Sequence, residues 1–141
     1  MNGNRNTRRL FLKRSGLASL AVLPGFFTSG CDVLVARDLR AAAEALIDTL
    51  DRRDLADEIG KNYLDAYGPE HAFESLARGL LESIGVNIEH ATLVSAETLK
   101  KALSARIRDD FTRESVSIVN GWLLSETESR LCAMAYLAGQ A

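Results

Sequence analysis

Between Phe73 and Ile84 the apolar residues fall at Phe73, Leu76, Ala77, Leu80, Leu81 and Ile84. Steps of three and four gather on one side only if the backbone is helical, so this stretch is predicted to be an amphipathic helix with one buried face. Gly85 follows directly and can take the left-handed conformation that closes a helix. Three further stretches share the period. Leu39, Ala43, Leu46, Ile47 and Leu50 form one stripe. Leu55, Ile59, Tyr63 and Ala66 form another, stopped by Gly68-Pro69. Leu99, Leu103, Ile107 and Phe111 recur every four residues after Ser95, an N-cap residue type.

From Ser115 the pattern changes. SVSIVNGWLLS is β-branched and aromatic around Asn120-Gly121, the dipeptide that suits a two-residue hairpin turn. An isolated hairpin is marginal in water, so Val116, Ile118, Trp122 and Leu124 are expected to pack onto the helices. Ser125 and Glu128 then have the spacing of a capping box. The final segment, SRLCAMAYLAG, is apolar on nearly every side, which requires a central position or a cover. The expectation is a mainly α fold: a small bundle of about five helices, with a short β-hairpin before the last.

Charge divides the chain in two. Residues 1–31 carry Arg5, Arg8, Arg9, Lys13 and Arg14 and no acidic residue, leaving 12 basic against 19 acidic residues beyond them, a net charge of −7. An acidic body without a basic stripe argues against nucleic-acid binding, which depends on neutralising phosphates. Within the first segment a basic start is followed by an apolar middle, Leu17 to Phe27, and a small-residue end. The middle is about half the length of a membrane-spanning helix, and Pro24-Gly25 interrupts it.

Thr7-Arg8-Arg9-Leu10-Phe11-Leu12-Lys13 resembles the complete twin-arginine (Tat) export motif, Ser/Thr-Arg-Arg-x-Phe-Leu-Lys. Such a motif is an address read by the Tat translocase. The segment ends FFTSGC, which resembles a bacterial lipoprotein box with cleavage after Gly30 and lipid on Cys31. Thr28 departs from the box, which has Leu, Val or Ile there. Ordinary cleavage nearby is the alternative, although Leu34-Val35-Ala36 places a bulky residue where a small one is wanted. The resemblance implies residues 1–31 as export signal, residues 32–141 as one helical domain, and a location at the periplasmic face of a bacterial membrane. Asp32 looks like the residue that retains lipoproteins in the inner membrane of enteric bacteria. The choice of inner or outer membrane stays open.

No set of residues announces a reaction. Cys132 has apolar neighbours in sequence and reads as a buried small hydrophobe. His71 and His90 lie in different elements, and neither has a second ligand at metal-site spacing. Glu70, His71 and Glu74 read as an acidic first turn. Asp48, Asp51, Asp54 and Asp57, like Asp109-Asp110, read as solvated faces and helix ends, with no calcium-loop pattern among them. The glycines match no phosphate-binding fingerprint. The expectation is therefore a protein without catalytic, cofactor-binding or metal-binding residues.

VNGWLLSETESRLCAMAYL resembles the C-terminal ends of small twin-arginine-exported bacterial proteins to which no activity is assigned. Trp122, Leu131, Met134 and Tyr136 are its candidate interaction residues. The leading expectation is a non-catalytic accessory subunit, tethered through Cys31, that carries a signal-less redox enzyme through the Tat pathway. The alternative is a freestanding periplasmic lipoprotein that binds a small apolar ligand between its helices. An exposed apolar patch favours the first; a last helix covered by its own chain favours the second.

Overall fold

The computed structural model describes residues 29–68 and 72–141, with side chains from residue 34 onward. The export motif Thr7 to Lys13, Glu70 and His71 lie outside the described residues, as does the side chain of Cys31 beside Gly30. The chain is mainly α, as its periodicity predicts: α1 Ser29–Ile47, α2 Arg53–Tyr67, α3 Phe73–Ser83, a 3-10 helix Ile88–Leu93, α4 Ala96–Thr112, strands β1 Val116–Val119 and β2 Trp122–Ser125, and α5 Glu126–Ala138. Among the described residues no helix is long and apolar enough to cross a membrane.

The punctuation read from sequence sets the element ends. Gly85, at φ 73°, closes α3: Val86 N–H donates to Leu81 O (2.9 Å) and Gly85 N–H to Glu82 O (3.1 Å). That paired arrangement is the Schellman motif. The end of α4 repeats it with Glu114 at φ 58°, an unusual conformation for a side-chain-bearing residue. Here Ser115 N–H donates to Asp110 O (2.8 Å) and Glu114 N–H to Phe111 O (3.3 Å). Ser95 caps α4 by accepting from Thr98 N–H (3.2 Å). Asn120 and Gly121 are both left-handed, at φ 48° and 84°, which matches the twist of the paired strands. β1 and β2 pair antiparallel in the register Val116–Ser125, Ser117–Leu124, Ile118–Leu123 and Val119–Trp122.

Asp48 and Asp51 sit in the α1–α2 connection, and Asp54 and Asp57 are on α2. One aspartate reading is corrected: Asp110 is not on a solvated face but fully buried. A repeat of four residues drifts roughly 40° per step round a helix that turns 100° per residue. By the last step Phe111 has left the buried stripe, where it is exposed, and Asp110 has entered it.

α5 is the centre of the bundle. It packs against α1, α2, α3, α4 and both strands, and Leu131, Cys132, Ala133, Met134 and Ala135 on it are all buried. This accounts for its apolarity on every side. Its closest neighbour is α2, at a crossing built from small residues. Gly60 lies so near the α5 backbone that a Cβ there would stand 2.1 Å from Cys132 O. Tyr63 Oη donates to Glu126 Oε1 (2.9 Å) and Arg53 Nη2 to Ala135 O (3.1 Å), tying the same two helices at their edges.

Candidate functional site

β1 faces the opposite way from its sequence expectation, while Leu124 on β2 packs against the core as expected. Ser117 and Val119 point into the protein and are buried, while Val116 and Ile118 point out, Ile118 with 67% of its surface exposed. Leu123, directly across from Ile118, is 58% exposed. Trp122 is paired with buried Val119 yet remains 56% exposed, and Leu124 is half-buried. The expected packing of Val116, Ile118 and Trp122 onto the helices is therefore not formed. Strand side chains alternate with period two, so the choice of one inward residue fixes the whole strand.

That inward residue is fixed by α5. Ser117 Oγ and Ser129 Oγ share a buried hydrogen bond, and Ser129 Oγ also donates to Ser125 O (3.0 Å). The first turn of α5 is closed by the same neighbourhood. Glu126 N–H donates to Ser115 O (3.0 Å), Thr127 N–H to Asp110 Oδ2 (2.9 Å) and Glu128 N–H to Ser125 Oγ (3.0 Å). Glu128 Oε2 accepts from Ser125 N–H (2.9 Å), completing the predicted capping box. Each satisfied cap contributes about 1 kcal/mol, and together they leave this helix start no free donor for an anion. The serines must face inward for this to hold, which turns Val116 and Ile118 to solvent.

The consequence is a hairpin whose outer surface is apolar. No residue from Ser115 to Ser125 is charged, in a chain that is 26% charged. Both strands also have an outer edge without a ladder partner among the described residues. Solvent-facing strands ordinarily carry polar residues outside and apolar ones inside, and exposed edges are ordinarily charged. This hairpin does neither.

Of the four interaction residues proposed from sequence, none lies on this outer face: Trp122 is exposed at the hairpin tip, but its partner across the ladder is the inward Val119. Leu131 and Met134 are buried in the bundle and Tyr136 is half-buried, so the four do not form one patch. The sequence pattern alone places Val116 and Ile118 in the interior and gives Leu123 no role. The unbroken uncharged run from 115 to 125 is the one signal in the sequence that marks them.

A second feature is a cleft of about 390 Å³ between α2, α4 and α5. Ile59, Leu103, Ile107, Leu124, Leu131 and Cys132 line its interior, and Asp51, Arg52, Lys100 and Glu128 stand at its edge. The Cys132 thiol is pushed up to about 12, first by burial and then by the charges of Glu128 and Asp57. It stays protonated at neutral pH and is a poor nucleophile there. His90 is exposed on the 3-10 helix. Among the described residues no three His, Cys, Asp or Glu side chains are grouped to hold a metal ion.

Comparison of the chain with family models, with characterised proteins and with solved structures finds no match. The class the fold defines is a small helical bundle with a two-stranded hairpin before its last helix.

Proposed function

We propose that this protein is an exported, membrane-tethered, non-catalytic interaction subunit that docks its partner on the outer face of the β1–β2 hairpin. The apolar outer face of the hairpin carries this reading: Ser117 faces in, while Val116, Ile118 and Leu123 face solvent. Apolar side chains in contact with water on a stiff, uncharged strand pair are what an unoccupied protein interface presents. The apolar character of α5 no longer argues for a partner, since its own chain covers it.

The export half of the reading rests on the sequence of Thr7 to Lys13 and of Gly30-Cys31, which resemble a Tat signal and a lipoprotein box. A subunit of this kind supplies the Tat address and the lipid tether, and a larger signal-less partner, a redox enzyme in the form proposed, supplies the chemistry. Acyl chains contribute roughly 0.8 kcal/mol per buried CH₂, so two or three give stable anchoring.

The test is copurification of the C-terminally tagged full chain from its own host's membranes in mild detergent. The wild type is expected to elute with one stoichiometric partner that lacks a signal of its own. The Ile118→Ser/Leu123→Ser variant, equally folded by thermal unfolding, is expected to reach the membrane without it. Replacing Arg8 and Arg9 by Lys is expected to hold both proteins in the cytoplasm. Elution of the wild type alone, or of the same partner with the serine variant, would sink the docking assignment.

A further inference from the structure

The cleft between α2, α4 and α5 is separate from the hairpin's outer face and has a chemistry of its own. Its interior offers aliphatic side chains and one buried, protonated thiol. Each polar group around it already has a partner within the protein. Thr49 Oγ1 donates to Leu46 O (2.6 Å) and Ser104 Oγ to Lys100 O (2.8 Å). Arg52 makes two hydrogen bonds to Asp54, at 2.9 and 2.7 Å, which hold that carboxyl at about 2. Lys100 Nζ stands 3.9 Å from Asp51, and Glu128 Oε2 accepts from Ser125 N–H. The edge charges are therefore two cations and two carboxylates, with Arg52 held by Asp54 just outside the cleft and Lys100 beside Asp51.

We infer that this cleft is a binding site for a small, uncharged, apolar molecule such as an aromatic ring or a short alkyl chain. Its size is that of small-molecule sites, at the lower end of their range of roughly 300–1,000 Å³. An anionic ligand would meet Glu128 and Asp51, with Arg52 and Lys100 each already beside a carboxylate. A cationic one would have to desolvate its charge against the aliphatic interior. A neutral apolar molecule loses nothing on either count and gains by displacing water from the partly exposed Leu50, Leu55, Ile107 and Leu124. The inference does not depend on the docking surface, with which the cleft shares no outward-facing residue.

The experiment is a methyl-detected NMR titration of the full chain with two matched probes, indole and indole-3-acetate. Indole is expected to produce saturable shifts in the methyls of Ile59, Leu103 and Leu131 while those of Ile118 and Leu123 stay still. Indole-3-acetate, which adds a carboxylate, is expected to bind at least about tenfold more weakly. Ser104→Trp, a change at an exposed position on the cleft wall, is expected to abolish the indole shifts. Shifts that do not saturate, that spread equally to Ile118 and Leu123, or that are as strong with indole-3-acetate would overturn the inference. The wild-type contrast between the two probes decides the matter even if Ser104→Trp is unstable.

Discussion

Gly60→Ala is expected to destabilise the protein by about 3 kcal/mol, lowering the melting temperature by roughly 10 °C or more. Helix propensity alone predicts the opposite, a gain of about 1 kcal/mol, because Gly60 is in the middle of α2. The difference lies in what the new methyl would meet: Cys132 O at 2.1 Å, Cys132 C at 2.5 Å and Ala133 Cα at 2.9 Å. All three are backbone atoms of a central helix, so none can swing aside as a side-chain tip would. α2 and α5 must separate, and the buried contacts of Ala56, Ile59, Cys132 and Ala133 loosen with them. Gly79→Ala is the internal control. Gly79 is in the middle of α3 and a Cβ there meets nothing within 4 Å. It is expected to stabilise by about 0.5–1 kcal/mol. Thermal or denaturant unfolding of the two variants should therefore give opposite signs.

Asp110→Ala is expected to cost about 4 kcal/mol, against less than about 1 kcal/mol for Asp109→Ala. The two aspartates are adjacent but differently placed. Asp109 is partly exposed and pairs with Arg106 and Arg113 at the surface. Asp110 is fully buried, and its Oδ2 accepts from both Thr127 N–H (2.9 Å) and Thr127 Oγ1 (2.6 Å) at the start of α5. Its Oδ1 lies 3.1 Å from Arg106 Nη2 without hydrogen-bond geometry, so that side of the carboxylate is held by charge. Removing it strands two buried donors and leaves the Arg106 guanidinium, whose Nε already has no acceptor, with Asp109 alone. A double-mutant cycle of Asp110→Ala with Thr127→Val should show coupling of about 1–2 kcal/mol. Equal losses at positions 109 and 110 would contradict this account of how α4 fastens α5.

Much of this architecture is legible in the sequence because it is local. The stripe from Phe73 to Ile84, the Asn120-Gly121 turn, the Ser95 cap and the Ser125–Glu128 box each involve residues a few positions apart. What is not legible depends on contacts between distant segments. Ser117 faces inward because Ser129 is there to receive it, and nothing near Ser117 in sequence says so. Asp110 is buried because Thr127 supplies donors 17 residues later. The 3-10 helix Ile88–Leu93 has no apolar period long enough to read, and Glu114 ends α4 in a conformation that sequence associates with glycine. The cleft is a space between three helices and belongs to no segment.

The hairpin is the plainest case of a feature set by distant contacts. Its apolar alternation was legible, but the face it serves was not, since period two is symmetric between inside and outside. Once the serine pair fixes the phase, the apolar residues left in water have no structural reason to be there.

The measurement that bears most directly on this reading is site-specific photo-crosslinking in host cells. A photoreactive side chain would be placed at position 118, on the outer face of β1, or at position 61, on the solvent side of α2. The account predicts one discrete covalent adduct from position 118 in the exported protein and none from position 61. Absence of an adduct from position 118, or identical adducts from both positions, would contradict the assignment of the hairpin as the docking surface.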